Sequence, residues 1–150
     1  MIQMTQSARY LLDVNVLIAL IDPAHVQHDR AHDWFGAQGN RGWATCPLTE
    51  NGVLRIVGNV RYPNSPGPPS AVAKILSVLR SLEGHEFWPD DISLFDKQKV
   101  DKDRLLDSAQ VTDAYLLALA HAHGGQLATF DRHIVSDAVI GGSKALHLVG

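Results

Sequence analysis

Residues 10–20 read YLLDVNVLIAL. The stretch runs from a short apolar segment through a carboxylate, Asp13, into a second apolar segment. Residues 9–12 read as a buried strand and residues 16–21 as an apolar helix, ended by Asp22 and Pro23. A strand, an acid and a helix in immediate succession form one unit of an alternating α/β chain. In such a unit the acid lies at the carboxyl end of its strand.

The same order recurs along the chain. Trp43, Ala44, Thr45 and Cys46 precede Glu50, and Leu127, Ala128, Thr129 and Phe130 precede Asp131. Residues 42–46 and 127–130 therefore read as strands, joined by shorter ones over 86–88 and 145–149. Helices are expected over 28–38, from Pro47 onward, over 71–82 with Ser70 as its cap, and over 111–123. A polar segment reaching to about Asp107 is read as helical, and residues 62–70, with four prolines, as a loop. Gly124 and Gly125 end the helix that Asp113 opens. Strands alternating with helices predict a three-layer α/β/α domain with a central parallel sheet, one domain over residues 1–150.

Composition narrows the function classes. The 150 residues are 45% apolar and 19% charged, with net charge −3, so no global basic field advertises a nucleic-acid partner. Cys46 is the only cysteine, which excludes an intrachain disulfide and a cysteine-based zinc site. The first ten residues are mostly polar and lack an apolar signal core, so a cytoplasmic location is expected.

If the runs are parallel strands, Asp13, Glu50, Asp113 and Asp131 collect at one end of one sheet, where open α/β folds bind ligands. Taken singly, each acid is accounted for as a turn or helix-start residue, because helix N-termini favour negative charge. Gathered, they repel one another, and a divalent metal offsets that repulsion. Carboxylates suit Mg²⁺ or Mn²⁺, which polarise phosphoryl oxygens and lower the pKa of bound water. Asn15 stands where its amide could reach a water or a phosphate oxygen, or cap the helix. Thr112 is available as a cap beside Asp113. Arg55 and Arg132 are candidates to hold phosphates, or surface arginines. Three other features are read as structural. His25, His28 and His32 form a polar rim or solvated face, Trp34, Trp43 and Trp88 are core, and Thr129 is a buried strand residue.

Residues 10–20, 43–55 (WATCPLTENGVLR), 111–120 (VTDAYLLALA) and 127–132 (LATFDR) together resemble the signature blocks of PIN-domain ribonucleases, most closely VapC toxins of prokaryotic toxin–antitoxin pairs. The blocks stand in that family's order. The resemblance implies that Asp13, Glu50, Asp113 and Asp131 are the acidic metal-site positions and that Asn15 fills an accessory polar position. It implies an endoribonuclease using Mg²⁺ or Mn²⁺, working by in-line attack of a metal-activated water on RNA. It also implies a homodimer and a cognate VapB-type antitoxin. A phospho-acceptor signalling module would need a late-strand lysine where Arg132 stands. A haloacid-dehalogenase-type phosphatase would need an aspartate where Asn15 stands. A catalytically silent RNA-binding or scaffold protein of the same fold is the remaining alternative.

Overall fold

The computed structural model describes residues 8–150. The reading of the polar N-terminus lies, for residues 1–7, outside the described residues. Five strands, β1 (Tyr10–Leu12), β2 (Trp43–Thr45), β3 (His85–Phe87), β4 (Gln126–Thr129) and β5 (Leu146–Leu148), form one sheet in the order β3-β2-β1-β4-β5. Every pairing is parallel, with Tyr10 opposite Trp43 on one side and Gln126 on the other.

The helices are α1 (Val14–Ile21), α2 (His28–Ala37), α3 (Pro47–Val57), α4 (Pro69–Arg80) and α5 (Val111–Ala122). Successive strand residues face opposite sides, and β1 divides accordingly. Tyr10 and Leu12 join Trp34, Phe35, Val53 and Leu76 in the core beneath α1–α4, while Leu11 joins Leu117, Leu127 and Trp88 beneath α5. Both faces are covered, which gives the three-layer α/β/α architecture. Trp34, Trp43 and Trp88 are all buried, as the sequence suggests.

Chain order climbs from β1 outward to β3, then returns across the sheet so that β4 lies on the free side of β1. The direction of winding therefore reverses between β1 and β4. A crevice opens at that reversal, outside the carboxyl ends of the strands.

Three local expectations are corrected. Ser70 does not cap α4; Pro69 occupies the first helical position and Ser70 lies inside the helix without a side-chain cap bond. The polar segment before Asp107 is a series of turns with one 3₁₀ turn, Lys102–Arg104, rather than a helix, and a second 3₁₀ turn, Ser108–Gln110, follows it. The cause is chemical: Asp96, Asp101 and Asp107 accept the N–H groups of Gln98, Asp103 and Ala109 at 2.9, 3.2 and 3.0 Å. Such bonds to the backbone two residues on compete with helix formation. The reading of the α2 histidines as a polar rim or solvated face is incomplete: His28 is half-buried and His32 exposed, yet both rings bond the backbone. His28 Nδ1 donates to the Ala19 carbonyl at 2.7 Å and His32 Nε2 to the Leu20 carbonyl at 2.8 Å. They satisfy carbonyls that the end of α1 leaves unpaired. At the end of α5, Gly124 takes φ +73° and terminates the helix as its sequence predicts. No described helix is long and apolar enough to cross a membrane.

Candidate functional site

Asp13 sits where β1 passes into α1. Its backbone N–H continues the β1–β4 ladder to the Ala128 carbonyl at 3.0 Å. Its Oδ1 accepts the Val14 N–H at 2.8 Å, so Asp13 itself caps α1. Asn15 is thus one position inside the helix and exposed, and the capping role considered for it belongs to Asp13.

Thr129, at the carboxyl end of β4 and 1% exposed, joins two of the acids. Its hydroxyl donates to Asp13 Oδ2 at 2.8 Å and accepts the Asp131 N–H at 3.1 Å. The plain reading of Thr129 as a buried strand residue is incomplete, since the same hydroxyl orients a carboxylate. Asp131 is exposed and receives the His133 N–H on Oδ1 at 2.8 Å. Asp113 lies half-buried in the first turn of α5. Asp113 and Asp131 line an open cavity of about 230 Å³ with Asp107, Gln110, His133 and Val135.

These three aspartates share one electrostatic field. Burial pushes the Asp13 carboxyl above the usual carboxylate range against its two hydrogen bonds, and the Asp131 charge adds to the rise. Burial also raises Asp113, followed by the charges of Asp13 and Asp131. In both, burial leads and the neighbouring carboxylates add to it.

Glu50 stands apart. Pro47 starts α3, which places Glu50 in its first turn. Gly52 lets that helix close on α1, because a Cβ there would come within 2.8 Å of the Val14 side chain. The Glu50 Oε2 accepts the Thr45 hydroxyl at 2.6 Å and pairs with Arg80 Nε at 3.0 Å. Thr45 ends β2 as Thr129 ends β4. With the Thr45 proton committed to Glu50, the 2.8 Å contact between Thr45 Oγ1 and His85 Nε2 is a bond donated by the histidine. The charges that raise Asp13 and Asp113, after burial, are those of other aspartates.

The sequence therefore places four acids along one edge, and the structure groups three of them and pairs the fourth. The donor set fits a hard divalent cation: carboxylate oxygens that repel one another, one of them oriented by a hydroxyl. Among the described residues no three His, Cys, Asp or Glu side chains converge closely enough to hold one ion as they lie. Side-chain rotation on β1, α3, α5 and the turn after β4 would have to complete a metal shell.

The accessory positions are less favoured. Thr112 does not cap α5, which is entered from the 3₁₀ turn with Gln110 at its cap position, and Thr112 is exposed at the second helical position. Arg55 is exposed on α3, five residues from Glu50, and so about 140° around the helix from it. Arg132 is exposed beside Asp131. Sequence reasoning missed Arg80, Thr45 and His85. Thr45 carried one usable signal, a polar residue at the end of an apolar strand beside an acid; Arg80 carried none.

Comparison with known proteins gives a consistent set of likenesses. The PIN domain family profile matches residues 10–138. Ribonuclease VapC44 of Mycobacterium tuberculosis is 47% identical over 139 residues, covering 91% of this chain and 95% of that protein. Among solved structures, M. tuberculosis VapC20, described as a Sarcin-Ricin loop cleaving toxin, aligns with TM-score 0.62 at 12% identity over 87% of this chain and 96% of that one. The VapBC2 complex of Rickettsia felis, bound to a DNA fragment from its promoter, aligns with TM-score 0.56 at 13% identity over 94% and 98%. The two structural likenesses are likenesses of fold.

Proposed function

The chain belongs to the PIN-domain family, among its VapC-type ribonucleases, and from that premise we propose that it is a Mg²⁺- or Mn²⁺-dependent endoribonuclease toxin. It hydrolyses RNA phosphodiester bonds in the cytoplasm, acts as a homodimer of single-domain chains, and is neutralised by a cognate VapB-type antitoxin. The observation that carries this reading is the Asp13–Thr129–Asp131 linkage, with Asp113 in the same field, at the reversal point of the sheet.

Asp13, Glu50, Asp113 and Asp131 would hold the ion. When bound, it supplies Lewis-acid stabilisation of the phosphoryl oxygens and acidifies an attacking water. The chain's own residues set the stage. Asp13 is fixed by two hydrogen bonds at the base of the crevice, so its free lone pairs point to one place. Asp113 and Asp131 border the open cavity, where an RNA strand can enter. The negative charge gathered there disfavours the polyanionic substrate until a cation is present, which makes metal binding a precondition for RNA binding.

The test is cleavage of total RNA by the purified chain, wild type against Asp13→Asn, with and without chelator. Full activity in chelator sinks the metal mechanism. The catalytically silent reading has one observation on its side, the neutralisation of Glu50 by Arg80. Expression without the antitoxin distinguishes the two: intact RNA and unchanged growth would favour the silent protein.

A further inference from the structure

Arg80 ends α4, and its guanidinium reaches Glu50 across a gap of 30 residues in the chain. It is the one cation paired with any of the four acids among the described residues. Its side chain is 40% exposed against 18% for Glu50, so the arginine is the partner free to swing away. The pairing runs through Nε, 3.0 Å from the carboxylate. The guanidinium carbon also lies 5.7 Å from the centre of the Phe87 ring, which is 45% exposed at the carboxyl end of β3. Across two strand spacings of about 4.8 Å each, this patch lies roughly 10 Å from the end of β1. It thus flanks the carboxyl edge of the sheet on the β3 side.

We propose that Arg80 is a positioning residue shared between Glu50 and the substrate: in the free protein it is the counter-ion of Glu50, and on loading it passes to an RNA phosphate while Glu50 turns to the divalent ion. The second half rests on the ribonuclease reading above; the first does not. The exchange keeps every charge paired. Glu50 trades one cation for another, and Arg80 trades a carboxylate for a phosphate that its planar fork fits equally well. Thr45, itself held by His85, keeps its bond to Glu50 Oε2 throughout.

Two measurements test this, neither of them turnover. Isothermal titration of metal-free protein with Mn²⁺ should show Arg80→Gln binding about fivefold tighter than wild type, the effect of removing one solvent-exposed competing ion pair. Glu50→Gln and the Glu50→Gln/Arg80→Gln double variant should bind Mn²⁺ alike, because the competition is then absent. Fluorescence anisotropy with a labelled single-stranded RNA should show the double variant binding several-fold more weakly than Glu50→Gln, with a salt slope shallower by about 0.7 for one lost phosphate contact. Arg80→Lys, which keeps the charge, should return Mn²⁺ affinity to near the wild-type value. Unchanged or weaker Mn²⁺ binding in Arg80→Gln overturns the counter-ion role. Equal RNA binding by the two Glu50→Gln proteins overturns the phosphate role. A chain that binds Mn²⁺ as stated but cuts no RNA would refute the proposed function and leave the Arg80–Glu50 competition standing.

Discussion

The two halves of the crevice are built from the same parts and left in opposite electrostatic states. On the β1–β4 side a strand-end threonine, Thr129, holds Asp13, and burial, joined by the charges of neighbouring aspartates, pushes the Asp13 and Asp113 carboxyls upward. On the β2–β3 side a strand-end threonine, Thr45, holds Glu50, and Arg80 neutralises it. One half stores unpaired charge and so is set to attract a cation. The other is already satisfied and has to be released. Carboxylates gathered by a fold are therefore not equivalent ligands; what each already touches decides how readily it turns to a metal.

The largest effect that can break this comparison is at Asp13. Asp13→Asn should lower RNA cleavage by on the order of 10³-fold, since several kcal/mol of transition-state stabilisation are removed and each ~1.4 kcal/mol is tenfold. Asparagine caps a helix as well as aspartate does, so circular dichroism should report an intact fold. Retained cleavage would show that the charged half is not the reaction centre.

Next come the paired threonines. Thr129→Val should reduce Mn²⁺ affinity or turnover by about 10–100-fold, the usual cost of losing a group that orients a ligand. Thr45→Val should cost clearly less, because the Glu50 it holds stands outside the group of three aspartates. Equal losses, measured side by side by calorimetry and steady-state kinetics, would erase the distinction between the halves.

The pH dependence of the metal-free fold is a subtler probe. Burial holds the Asp13 and Asp113 carboxyls above the ordinary aspartate value of 3.8, so the folded state binds more protons than the unfolded chain. Stability is then highest below that value and falls as pH rises from it through the raised folded values. Thermal melts in chelator should show this decline, and Asp13→Asn should flatten it. A melting temperature that rises over that window in wild type and is unaffected by the substitution would refute the unpaired-charge account. The smallest effect is expected at Arg55, exposed and turned away from Glu50. Arg55→Ala should change stability by no more than about 0.5 kcal/mol in denaturant titration and leave RNA binding within twofold.

Much of this molecule is legible in its sequence, for physical reasons that differ by element. The strands at 10–12, 43–45 and 126–129 are short apolar runs stopped by polar residues, and α5 is apolar at helical spacing up to the Gly124 turn. Each is dictated within a few residues. The polar segment before Asp107 is misread because its charges look like a solvated helix, whereas its aspartates bond the backbone locally. The backbone bonds of His28 and His32 go unread because nothing nearby in the chain reveals that α2 folds back onto the carbonyls of α1.

The alternation of strand and helix alone determines that four acids lie at one edge, because every parallel strand of such a chain points the same way. It does not determine strand order. Only the tertiary structure sets β4 against β1, so that Thr129 meets Asp13 across 116 residues, and only it brings the end of α4 onto Glu50. Contacts of that separation are decided by which surfaces pack together, a property of the whole core. Local pattern placed the carboxylates; long-range packing decided which of them are left unpaired.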